Sequence, residues 1–84
     1  MKTPKRWYWL IEREVLEEKP NVAVLDMLRY DRAVVESNPP SGFYLFSSEH
    51  PPTVERWRSF SIWVVGVGDS PYAAEINARP TTPR

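Results

Sequence analysis

Two proline pairs, Pro39-Pro40 and Pro51-Pro52, decide where regular structure can run in this chain. A proline gives up its backbone N–H and cannot continue a helix interior or a central sheet ladder. The run between the pairs, Phe43-Tyr44-Leu45-Phe46-Ser47, is aromatic and apolar, and is therefore confined to one short strand. Ser37, Asn38, Ser41 and Gly42 reinforce the first break, with Gly42 free to take a positive φ. Ala33-Val34-Val35-Glu36 has strand propensity on the other side of it, so residues 33–47 read as a hairpin with a long loop.

The remaining elements fall on either side of that hairpin. Trp7-Tyr8-Trp9-Leu10-Ile11-Glu12-Arg13-Glu14-Val15 is rich in aromatic and β-branched residues and reads as a first strand. A helix also fits its second half, through Ile11 and Val15 at i,i+4 and the good helix formers Glu14, Leu16 and Glu17. Asn21 is placed to cap a short helix over roughly 21–31, in which Val24, Leu25 and Leu28 share one stripe. After Pro52, Thr53 stands where an N-cap belongs and Glu55 suits the first turn. Val54, Trp57 and Phe60 would face the core from a helix of about two turns. Ser61-Ile62-Trp63-Val64-Val65-Gly66-Val67 is apolar at both parities, as a central strand is, and Gly68-Asp69-Ser70-Pro71 ends it.

The predicted order is β-α-β-β-α-β within about 65 residues, the order of a split β-α-β, ferredoxin-like sandwich. We expect an α+β domain with a four-stranded, mostly antiparallel sheet and two short helices on one face. The domain should span residues 7–77, with a flexible N-terminus over 1–6 and a disordered tail over 78–84. A further short element is expected over 72–77. The core should draw on Trp9, Leu25, Leu28, Leu45, Trp57, Ile62 and Val64.

Composition narrows the functional classes. At 84 residues the chain makes one domain at most, burying only about 60–65% of its unfolded surface. Its 11 Lys and Arg balance 11 Asp and Glu, so no long-range field gathers nucleic acid or acidic lipid. The absence of cysteine removes disulfides, thiolate catalysis and Cys-ligated zinc, and suits a reducing cytoplasm. No apolar run reaches the ~20 residues of a membrane span, and Glu12 and Arg13 interrupt the stretch after the basic opening, unlike a signal peptide. A cytoplasmic location follows as the expectation.

The densest candidate site is a pair of segments, Asp26-Met27-Leu28-Arg29-Tyr30-Asp31-Arg32-Ala33 and Pro52-Thr53-Val54-Glu55-Arg56-Trp57-Arg58-Ser59-Phe60. Arg29, Tyr30, Arg32, Arg56 and Arg58 are directional groups of the kind that anchor interfaces. The plainer account has the aspartates as local ion partners of Arg29 and Arg32, and Trp57 buried between snorkelling arginines. A second surface is suggested by the element order, since RNA-recognition modules display aromatics on their central strands. Gly42-Phe43-Tyr44-Leu45-Phe46 and Trp7-Tyr8-Trp9 would supply them, though Ser41, Tyr44 and Leu45 depart from that motif. His50 is the one histidine and has no metal or base–nucleophile partner near it in sequence. Glu12, Glu14, Glu17 and Glu18 look like a solvated edge, and Gly66-Val67-Gly68 lacks the third glycine of a dinucleotide loop. No catalytic residue, cofactor or metal is expected.

The blocks Asp26-Met27-Leu28-Arg29-Tyr30-Asp31-Arg32-Ala33 and Thr53-Val54-Glu55-Arg56-Trp57-Arg58-Ser59-Phe60 resemble two blocks of short, tailed-phage-encoded proteins, which carry them on either side of a variable hairpin. That family has no assigned activity, so the resemblance transfers no functional residue. It implies a setting, the bacterial cytoplasm, and a partner class, a host or phage protein that is bound or inhibited. The expected function is a small non-enzymatic protein-binding module. The alternative is a single-stranded nucleic-acid binder using arginines and exposed aromatics, and self-association through a sheet edge is a further variant.

Overall fold

The computed structural model describes residues 5–78. Its elements are β1 (Trp7–Glu12), α1 (Arg13–Glu17), α2 (Asn21–Tyr30), β2 (Val34–Val35), β3 (Phe43–Ser48), α3 (Val54–Ser59), β4 (Val64–Gly68) and α4 (Pro71–Asn77). The expected flexibility of residues 1–4 and disorder of residues 79–84 lie outside the described residues. Arg6 donates through Nη2 to Ser47 Oγ at 3.0 Å, and Ala78 is the C-cap of α4.

The fold is α+β, with one four-stranded sheet in the order β2-β3-β1-β4 and antiparallel at each pairing. β1 and β2 run the same way with β3 between them, and β3 and β4 run the same way with β1 between them. Two β-α-β units thus interlock, each split by a strand of the other. Among the described residues four helices surround the sheet: α2 and α3 are the two expected, α4 fills the further short element expected over 72–77, and α1 is additional. The segment 7–15 accommodates both of its sequence patterns: the strand stops at Glu12 and Arg13–Glu17 turn into α1.

Alternation along the strands divides the sheet into two faces. Trp9 pairs with Phe46, and the neighbouring pair Leu10 and Leu45 points the other way. The first face carries the larger core: Trp9, Ile11, Leu16, Met27, Phe46, Trp57 and Ile62, with Leu28 and Val64 packed against it. Trp9 meets Trp57 edge-on at 5.5 Å between centroids and Phe46 at 5.0 Å, geometries aromatic pairs favour. The second face is covered by α4, which packs Ala74 against Leu10 and Leu45. The two expected helices, α2 and α3, thus share one face, and α4 adds a layer on the other.

α4 reaches the sheet through two glycines. A Cβ on Gly66 would stand 2.3 Å from the Ala74 carbonyl oxygen, and one on Gly68 would stand 2.5 Å from Ala73 Cβ. Ser70 starts the helix by accepting from the Ala73 N–H at 3.1 Å, with Pro71 at the first helical position. This helix explains β4. The strand was expected at the centre of the sheet because it is apolar at both parities, but it lies at an edge. Its two faces are apolar because both are covered, one by the Trp57 core and the other by α4.

β4 also begins later than expected, at Val64. Residues 57–62 instead complete the end of α3. The Ile62 N–H donates to Trp57 O and the Ser61 N–H to Arg58 O, with Ser61 left-handed at φ 62°. That is a Schellman ending, and its usual apolar contact is the pair Trp57 and Ile62, both fully buried. α2 ends the same way. The Ala33 N–H donates to Leu28 O and the Arg32 N–H to Arg29 O, with Arg32 at φ 54°. The two sequence blocks therefore share a local structure, a short helix closed by a left-handed non-glycine residue.

Three further expectations are corrected by the structure. Asn21 occupies the first turn of α2 without a side-chain capping bond, because Pro20 holds the N-cap position. Leu25 is 53% exposed rather than in the core, because the inward stripe of α2 is Val24, Met27, Leu28 and Asp31. Phe60 is 44% exposed, because it follows the last turn of α3 and is turned outward by the Schellman ending.

The sheet edges are partly blunted. β2 is two residues long, and the Phe43 N–H beyond it is taken by Pro40 O. At the other edge the Asn77 amide donates to Val67 O at 2.6 Å. Both arrangements are ways of blunting an edge against unwanted pairing.

Candidate functional site

The two blocks meet through Asp31, a residue whose charge hides its position in the sequence. Asp31 is the C-cap of α2 and is only 7% exposed. One carboxylate oxygen accepts from the Thr53 hydroxyl at 2.7 Å and the Thr53 N–H at 3.2 Å. The other accepts from the indole N–H of Trp57. Thr53 is at the N-cap position of α3 as expected, yet its hydroxyl serves Asp31 and makes no capping bond. A carboxylate inside a protein is stable only with such donors, and hydrogen bonds to a charged acceptor are the stronger kind.

This junction sets out the arginines. Trp57 points into the core, and 100° per residue carries Arg56 and Arg58 to its two sides. Arg56 lies over the Tyr30 ring, its guanidinium carbon 4.4 Å from the centroid, bridging α3 to the end of α2. Arg58 lies over the Trp63 ring at 4.6 Å, bridging α3 to the start of β4. Tyr30 and Trp63 are 59% and 54% exposed, so each stack sits at the surface. Arg29, the residue before Tyr30, pairs with Asp26 at 3.7 Å, an exposed contact contributing at most about 0.5 kcal/mol. Among the described residues neither Arg56 nor Arg58 has a carboxylate partner. Arg32, also exposed, lies just beyond Asp31 in its left-handed turn.

The structure thus pairs Arg56 with Tyr30, and pairs Arg58 with Trp63, which the sequence pattern assigned to a buried strand; among the described residues Arg29 and Arg32 are exposed at the end of α2 without a contact to either pair. Val22 and Leu25 extend the surface along the outer side of α2. Of the expected core residues, Trp9, Trp57 and Ile62 are fully buried, Leu45 is nearly so, and Leu28 and Val64 are half-buried.

The strand aromatics are arranged differently. Tyr44 and Phe46 face the α2–α3 side with Trp7 and Trp9. Tyr8, Phe43 and Leu45 face the other side, where α4 covers Leu10 and Leu45 and leaves Tyr8 and Phe43 half-buried. That is the face on which stacking on bare rings would have to occur.

Chemistry elsewhere is sparse among the described residues. No three of His, Asp and Glu are grouped to hold a metal ion, and His50 is exposed in its loop. An open depression of about 380 Å3 is lined by Glu12, Arg13, Glu14, Glu17 and Gly42, and brings together no nucleophile and base. Beside it the Tyr44 hydroxyl donates to Glu17 at 2.8 Å, and Arg13 lies over the Tyr44 ring at 5.0 Å. The hydrogen bond to Glu17, then burial and the Glu17 charge, raise the Tyr44 phenol above its ordinary value, while Arg13 opposes the shift. No helix of the described residues is long and apolar enough to cross a membrane. Comparison with protein-family models, curated proteins and solved structures finds no match to this chain.

Proposed function

We propose that the protein is a non-enzymatic protein-binding module whose contact surface is the outer side of α2 and α3. One observation carries this reading: Tyr30 and Trp63, two large aromatic side chains more than half exposed, each have an arginine of α3 stacked upon them. Aromatic residues and arginine are the types enriched at protein interfaces and at their energetic centres. Val22, Leu25 and Phe60 add exposed apolar area, beyond what the core uses. The resemblance of the two blocks to phage-encoded proteins supports an accessory role in a bacterial cytoplasm, binding or inhibiting a host protein.

A tagged pull-down from bacterial lysate, with and without nuclease, tests the proposal. A partner captured in near-stoichiometric amount that survives nuclease, and is lost with Tyr30→Ala and Trp63→Ala but kept with His50→Ala, is the expected result. Recovery of nucleic acid alone, or of partners that all disappear with nuclease, would overturn it in favour of single-strand binding.

A further inference from the structure

We infer that Arg56 and Arg58 form a two-pronged carboxylate clamp, and that the partner segment is acidic and crosses α3. This rests on the protein-binding reading above and names the chemistry of the partner. Stacking an arginine on a ring restricts its rotamers before any partner arrives, while the in-plane N–H edge stays open. Both guanidiniums are held this way, over Tyr30 and Trp63. Among the described residues neither fork has a side-chain acceptor, although Arg6 donates to Ser47 and Arg29 pairs with Asp26. A planar fork held in place and unfilled fits a carboxylate bidentately.

The geometry also sets the spacing. Arg56 and Arg58 leave α3 on opposite sides of the inward Trp57, about 200° apart at 100° per residue. A helix about 10 Å across sets the two forks, and so the two carboxylates, at least about one helix width apart. At about 3.3 Å per residue, an extended segment meets this with acidic residues roughly three positions apart. The segment would pass over Glu55 and Ser59, which are exposed on the outer side of α3.

A protein carboxylate suits this clamp better than a nucleic-acid backbone. A single strand is bound by a continuous positive groove and by bare rings for its bases. Here Arg56 and Arg58 already lie against the Tyr30 and Trp63 rings, Asp26 and Glu55 stand among the arginines of α2 and α3, and the whole chain has no net charge. Glu55 repels a continuous run of negative charge but leaves room for two separated carboxylates.

The test is nuclear magnetic resonance of the full chain, following the arginine Nε–H and tryptophan indole signals. The probes are a Gly/Ser peptide bearing two glutamates three positions apart, its glutamine counterpart, and an oligothymidylate. The expected result is selective shifts of Arg56, Arg58 and Trp63 with the glutamate peptide, and about tenfold weaker binding of the glutamine peptide. Arg58→Lys should weaken binding despite keeping the charge, and Glu55→Gln should strengthen it. Shifts that spread equally over all arginines, that are absent, or that are larger with oligothymidylate would overturn the clamp. Nuclease-resistant capture of a partner equally by wild type and the Arg56→Ala, Arg58→Ala double variant would also overturn it, while leaving the binding-module reading intact.

Discussion

Trp57 donates its indole N–H to Asp31, so the residue that anchors α3 in the core is held by the residue that ends α2. The bond spans 26 positions and joins the two helical blocks on either side of the β2–β3 hairpin. Asp31 also takes both Thr53 donors, so this one carboxylate fixes where α3 begins and how it is rotated. The rotation in turn puts Arg56 over Tyr30 and Arg58 over Trp63. Stability and surface display therefore depend on the same buried group.

The first prediction follows from that dependence. Asp31→Asn keeps the volume but offers an amide to a site lined with donors, and should destabilise by about 1–3 kcal/mol in urea melts. Trp57→Phe, which leaves the carboxylate short of one donor, should cost a similar amount, and Trp57→Ala about 3–5 kcal/mol. The Asp31→Asn, Trp57→Phe double variant should lose less than the sum, with a coupling above about 1 kcal/mol. Additive losses would mean that the bond carries little.

Arg32 and Ser61 sit left-handed at the ends of α2 and α3, where glycine is the usual choice. A non-glycine residue there costs roughly 1 kcal/mol. Arg32→Gly and Ser61→Gly should each leave stability unchanged or raise it by up to about 1 kcal/mol, the gain reduced by the greater freedom of glycine in the unfolded chain. A loss of more than that in thermal melts would mean that the side chain, not the backbone, holds the turn.

Gly66 and Gly68 make the opposite prediction. A methyl group at Gly66 meets the carbonyl of Ala74, part of a helix backbone that cannot give way cheaply. Gly66→Ala should therefore cost about 1–3 kcal/mol and detach α4 first. Amide exchange would show this as faster exchange in residues 71–78 than in α2. Unchanged protection of α4 would place the accommodation elsewhere.

The outline of the fold was legible because strand propensity and proline breaks are local properties. Four strands, the hairpin and two helical blocks follow from them. What the sequence pattern concealed was set by tertiary contacts. Asp31 did not look like a core residue, because a carboxylate is buried only when donors from another segment, here Thr53 and Trp57, converge on it. With Asp31 left out of the stripe, the inward face of α2 is drawn one residue off, and Leu25 enters the core in place of Met27. β4 looked central because apolar residues at both parities report covered faces, not neighbouring strands. A signal for α4 was present in Ser70-Pro71 and in the two glycines, which are costly in a strand unless something approaches closely. The arginines and Tyr30 of the proposed surface stand within the two sequence blocks themselves. Trp63 lies outside them, and its exposure depends on α3 ending left-handed at Ser61.

Tyr44 offers a prediction in pH. Its phenol is raised from an ordinary value of 10.0, first by the hydrogen bond to Glu17, then by burial and the Glu17 charge, with Arg13 opposing. The native chain holds this proton more tightly than the unfolded chain does, so the contribution to stability is fully present below pH 10.0 and is lost as pH rises through the native value. Carbon-13 resonances of labelled tyrosine should show Tyr44 ionising above its ordinary value in the wild type and returning toward it in Glu17→Gln. Stability measured across the same alkaline range should fall less steeply in Glu17→Gln, because the group that favours the protonated phenol is gone. An unchanged Tyr44 midpoint in that variant would mean that the Tyr44–Glu17 bond is not maintained in solution, and that α1 is not held to β3 by this contact.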